Sequence, residues 1–111
     1  MKYRTHNDEH INAVGTSHKA DIRTTYDKLV ELFGEPRKAS GDGKVDREWN
    51  LNLTEPDFGE SHNVTIYNWK DYDGGLEAET NPKYRWHIGG HTTLASIYVR
   101  EAFEELTMET V

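Results

Sequence analysis

Residues 86–94 read Trp-His-Ile-Gly-Gly-His-Thr-Thr-Leu and concentrate more chemistry-capable groups than any other stretch of the chain. An apolar strand end runs into two glycines, and a helix is expected directly behind them. Glycine reaches backbone conformations closed to residues with a Cβ. The unpaired N–H groups of a helix start attract anions. Arg85, His87, Gly89, Gly90, His91 and Thr92 are therefore the expected ligand-binding residues, for a small anion such as a phosphate, a carboxylate or a nucleotide. The plainer alternative is a tight strand-to-helix turn capped by Thr92. If the glycines are there for turn geometry, at least one should have a positive φ.

Other constellations are weaker. His87 and His91 are four apart, as are His6 and His10, a spacing that suits zinc when both ligands lie on one helix. Gly89-Gly90 interrupts the first pair, and no helical pattern surrounds the second. A third ligand would have to come from elsewhere, such as His18 or His62. No native metal site and no cofactor are expected. Asp71-Tyr72-Asp73-Gly74 begins like a calcium loop, but it lacks the third acid and the closing glutamate, so it reads as a hairpin-type turn. The chain has no cysteine, which excludes disulfides, thiol nucleophiles and cysteine-based zinc sites. Ser17 and His18 are adjacent, but there is no Gly-x-Ser-x-Gly elbow. No residue is given a catalytic role, and a small hydrolase-type enzyme ranks third among the functional readings.

The elements that would position these residues are legible from periodicity. Tyr26, Leu29, Val30 and Phe33 follow helical spacing, with Thr24 as the expected N-cap, Asp27 in a capping-box-like role, and Gly34 and Pro36 as the stop. Val45 to Leu53 alternates as a half-buried strand. Arg47 falls on its apolar face, either snorkelling to water or meeting a buried acid or a ligand. His62 to Lys70 and Tyr84 to Ile88 read as two further strands, separated by a long acidic loop over 71–82. A second helix is expected from about Thr92 to Leu106, with Leu94, Ile97, Tyr98, Ala102 and Leu106 as its apolar stripe. Ile11 to Val14 could form a short edge strand followed by a turn at Gly15–His18, and residues 1–9 are polar and loosely held. The fold class is α+β: a two-layer sandwich with an antiparallel meander of three or four strands packed against two helices. One Trp falls on each strand of the meander, and two of the three are expected in the core.

At 111 residues the chain is expected to form a single domain. Its net charge of −7 is unevenly spread. Asp46 to Glu79 holds nine acids against two bases, and the remainder balances. Direct nucleic-acid binding through this segment is disfavoured. Attraction to a protein with a basic surface is favoured, with Glu55, Asp57, Glu60, Asp71 and Asp73 as the expected partner-binding residues. The N-terminus has no apolar signal-like region and no run suits a membrane span, so a cytoplasmic location is expected. The leading reading is a non-enzymatic acidic binding protein, and the second is a small-ligand binder using the Gly89-Gly90 turn.

Two resemblances bear on this reading. Tyr26-x-x-Leu29-Val30-x-Leu32-Phe33-Gly34-x-Pro36, followed by a strand bearing Trp49, looks like the helix–Gly-x-Pro–strand step of small BamE-like or β-lactamase-inhibitor-like modules. That likeness implies an α+β interaction module. The lipoprotein cysteine of the BamE-like group is missing, so no membrane role is implied. Gly15-Thr16-Ser17, Tyr26 to Pro36, Thr65 to Lys70 and Trp86 to His91 together resemble a family of small phage and metagenomic proteins. That resemblance implies a viral accessory factor that binds and inhibits a host or defence protein.

Overall fold

The computed structural model describes residues 2–38, 44–54 and 59–109. It is an α+β protein built on one antiparallel sheet, whose strands are β1 (Lys2–Thr5), β2 (Ser17–Arg23), β3 (Arg37–Lys38), β4 (Arg47–Thr54), β5 (Ser61–Tyr67) and β6 (Arg85–Gly90). The expected meander is β4-β5-β6. It is extended by β2 beyond β6, and by β1 and β3 along the free edge of β4. Among the described residues three helices accompany it: α1 (Tyr26–Phe33), α2 (Leu76–Thr80) and α3 (Leu94–Glu109). None of the described helices is long and apolar enough to cross a membrane.

Alternation fixes which side of the sheet the helices cover. Trp49, Leu51 and Leu53 of β4 register with Ile66, Val64 and His62 of β5, and Ile66 continues onto Ile88 of β6. With Trp86, these residues form a layer that meets Leu29, Leu32 and Phe33 of α1 and Ala95, Val99 and Ala102 of α3. Trp49 and Trp86 are fully buried, whereas Trp69 is 42% exposed. The indole N–H groups of the buried pair donate to Gly34 O (2.8 Å) and Thr24 O (3.2 Å). This places two apolar rings in the core without leaving their donors unpaired.

Helix α1 starts one residue later than expected. Thr25 is the cap, its Oγ1 accepting from Lys28 N at 3.0 Å. Lys28 occupies the position a capping-box acid would need, so Asp27 serves only as a first-turn acid. Gly34 ends the helix at φ +81°. The Ile11–Val14 segment is not a strand. Ile11 is buried, Val14 is exposed, and the edge strand is β2, which starts at Ser17 inside the expected turn.

Two corrections concern helices. The acidic stretch 71–82 contains α2, anchored by fully buried Ala78. The Asp73 carboxylate accepts from Gly75 N and Glu77 N, both at 2.9 Å. Helix α3 keeps only part of its expected stripe: Ala102 is buried and Tyr98 packs against the core, but Leu94 and Ile97 are exposed and Ala95 and Val99 are buried in their place, while the Leu106 side chain lies outside the described residues. The cause is close approach. A Cβ on Gly90 would run into the Ala95 Cβ, so the helix rests on the sheet through small residues.

Candidate functional site

The helix-free face of the sheet carries the chemistry. Asp21 pairs with His87 across the β2–β6 ladder, and His18 pairs with Gly89. In a regular strand, residues 18 and 21 would point to opposite faces. A register shift between His18 and Ala20 breaks the alternation and brings both to the same side. His18 Nε2 lies 2.8 Å from Asp21 Oδ1. His87 Nδ1 lies 3.5 Å from the same oxygen, too far for a well-formed hydrogen bond, and is shielded from solvent with no hydrogen-bond partner. The two imidazole centroids are 4.6 Å apart. Arg85 approaches from outside, with Nε 3.7 Å from Asp21 Oδ2.

These groups shape each other's protonation. Burial alone would raise the Asp21 carboxyl, but the His18 hydrogen bond and the charges of His87, His18 and Arg85 together hold it below the usual carboxylate range. Burial, His18 and Arg85 lower the His87 imidazole against the opposing pull of Asp21 and Asp71. A lowered histidine is neutral at pH 7 and keeps a free lone pair.

Beside this cluster lies a half-open cavity of about 480 Å³, lined by His18, His87, Thr65, Tyr67, Trp69 and Glu48. Gly89 also lines it. A Cβ there would collide with Thr65 Oγ1 and come within 3.3 Å of Tyr67 Cε1. Tyr67 stands edge-on to both His87 (5.5 Å) and Trp69 (6.1 Å). Burial and the charges of Glu48 and Asp21 raise the Tyr67 phenol, so it stays protonated and can donate. Glu48 Oε2 lies 3.8 Å from Arg37 Nη1. With its oxygen turned toward Arg37, the orientation that satisfies both neighbours, the Asn50 amide bridges this pair: its nitrogen donates to Glu48 Oε2 (3.2 Å) and its oxygen accepts from Arg37 (2.9 Å).

The expected ligand residues divide between two places. Arg85, His87 and Gly89 belong to the open face. Gly90 turns toward α3, and His91 and Thr92 line a separate cavity of about 300 Å³ with Asn52, His62 and Asn63. Gly89 and Gly90 are strand residues, and neither is among the glycines with positive φ. Gly89 is paired on both sides, to His18 and to Thr65, so its backbone is engaged in the sheet rather than presented to an anion. The glycines are required because neighbouring side chains occupy the space a Cβ would take.

The remaining histidines lie away from the His18–Asp21–His87 cluster. His62 stacks on Tyr98 at 4.3 Å. His6 contacts Glu35 O at 2.9 Å through Nε2 and lines a cavity with His10 and Arg37, whose charge disfavours a cation. Arg47 meets an acid, but an exposed one rather than a buried one: Nε and Nη2 donate to Glu79 Oε1 at 2.9 and 2.6 Å.

Among the expected partner-binding acids, Glu55 and Asp57 lie outside the described residues. Glu60 is exposed, 3.9 Å from His62. Asp71 accepts from the Tyr84 hydroxyl and from Asn68 Nδ2 (3.2 Å). Burial and Asp71 together push the Tyr84 phenol well above its usual range. The β2 bulge is the feature that residue patterns did not reveal. Its polar sequence Ser-His-Lys-Ala-Asp-Ile-Arg carries only Ala20 and Ile22 as an apolar face. Comparisons of the chain with family models, curated proteins and solved structures find no match.

Proposed function

We propose that this protein binds a small, planar, neutral heterocycle on the helix-free face of its sheet. The supporting observation is the cavity walled by Tyr67 and by Trp69, the latter 42% exposed. An exposed Trp beside a pocket gives a ring to stack on, while Glu48 and the Thr65 hydroxyl offer polar anchors. The Glu48 carboxylate on the cavity wall disfavours an anion, so the nucleotide or phosphate expected at the glycines gives way to an uncharged ligand with N–H donors.

Acid-steered docking to a host or defence protein draws less support. Asp71 and Asp73 are committed to Tyr84, Asn68 and the start of α2, so replacing them would disturb the fold as well as the surface.

The test is a titration with adenine, with inorganic phosphate in parallel, following backbone amide shifts. Adenine should shift Thr65, Tyr67 and Gly89 saturably, and phosphate should not. Trp69→Ala should abolish the response. Shifts scattered over the surface, a response to phosphate alone, or no response at millimolar adenine would refute the reading.

A further inference from the structure

We propose that His18, Asp21 and His87 form a binding site for one divalent first-row transition ion such as Zn²⁺. The inference extends the ligand reading to the same face, since the ion would sit at the edge of that cavity.

Three side chains each offer one ligand atom, and these atoms all lie within 4.8 Å of one another, close enough for one ion at a common point to reach all three. Zn²⁺ holds imidazole nitrogen at about 2.0–2.1 Å and carboxylate oxygen at about 2.0–2.2 Å, usually in tetrahedral array. The edge of such a tetrahedron is about 3.4 Å. The His87 Nδ1–Asp21 Oδ1 separation of 3.5 Å already matches it. The His18 Nε2–Asp21 Oδ1 separation of 2.8 Å must open by a few tenths of an ångström. His18 can move, because half of its side chain is exposed.

The buried His87 Nδ1 supports the same reading. It has no hydrogen-bond partner, although buried polar atoms are normally satisfied. An ion at the common point would satisfy it. Arg85 approaches Oδ2 and leaves Oδ1 to the two histidines, an orienting contact of the kind that positions metal-bound carboxylates. Its charge opposes a cation, and its 59% exposed side chain allows solvent to screen that opposition. Two imidazoles and one carboxylate leave a coordination position open, as in catalytic rather than structural zinc sites.

The experiment uses the untagged full chain, stripped with a chelator and titrated with Zn²⁺ alone by calorimetry and with Co²⁺ by visible absorption. One ion per chain should bind, and His18→Ala and Asp21→Asn should each weaken binding about tenfold or more. Exposed His10→Ala should leave it unchanged. If His87→Ala misfolds, the other two variants still decide, because their side chains are more exposed. No saturable binding, or binding indifferent to both His18→Ala and Asp21→Asn, would overturn the site. Adenine binding in the metal-free chain reports on the pocket independently, so losing the ion while keeping adenine removes only the metal.

Discussion

The two faces of one sheet are built on opposite principles. The helix-covered face is a cluster of rings and aliphatics: Trp49 and Trp86 meet edge-on at 5.3 Å, and Tyr84 meets Trp86 at 4.8 Å. The other face is polar even where buried. Asn52 Nδ2 donates to Asn63 Oδ1 at 2.8 Å, and Asn63 Nδ2 donates to Asn12 O at 3.0 Å. The first face stabilises by removing apolar area from water. The second contributes little by that route, because buried polar groups gain mainly by not being left unpaired. Stability therefore resides on the helix side, and the chemistry-bearing groups sit where packing constrains them less.

The strongest way to break this contrast is to compare tryptophans. Trp49→Ala should cost about 3–5 kcal/mol, as expected for truncating a fully buried aromatic residue. Trp69→Ala should cost under about 1 kcal/mol, as at a surface position. Urea melts of the two variants measure both. Equal losses would mean that the open face carries structural weight and is no free binding surface.

A middle-sized effect tests the seam between sheet and helix. Gly90→Ala should destabilise by about 1–3 kcal/mol through overpacking against Ala95. Ala95→Gly in the same chain should recover part of the loss, since the nearest remaining atoms, Thr92 O and Ala95 Cα, would be 3.5 and 3.8 Å away. Recovery is limited by glycine's poor helix propensity, about 1 kcal/mol. An additive double mutant would mean that Gly90 is required for something other than α3.

This seam also explains where the sequence was legible. Strands β4, β5 and β6 and helix α1 announce themselves because each has one apolar side, and periodicity reports that side. Helix α3 keeps Tyr98 and Ala102 of its expected stripe against the core but turns Leu94 and Ile97 out: large side chains mark where burial would be most favourable, and the close approach at Gly90 selects Ala95 instead. Strand β2 stayed hidden because its outward residues are polar and its bulge breaks the period of two. The same bulge hid half of the site. His87 was identified from its glycine-rich surroundings, but its partners His18 and Asp21 lie 69 and 66 positions away, and only the β2–β6 register brings them together.

The smallest expected effect is a pH dependence on the open face. His6 N donates to Asn50 O at 3.0 Å, and the His6 ring, through Nδ1, faces Asn50 N at 3.4 Å. Burial, with help from Arg37, lowers the His6 imidazole below 6.5, outweighing the opposing influence of the Glu35 carbonyl, Glu48 and Asn50. In the unfolded chain the ring returns to its ordinary value. Below pH 6.5 the unfolded state therefore binds a proton that the folded state resists, and stability falls with pH until the folded value is reached. Above pH 6.5 the contribution is complete. His87 is lowered as well, so the diagnostic quantity is the difference between the original chain and His6→Ala. Urea melts at pH 7.5 and pH 5.5 should show a smaller loss on acidification in the variant. Identical losses would mean that His6 titrates freely and that the N-terminal segment does not hold it against β4.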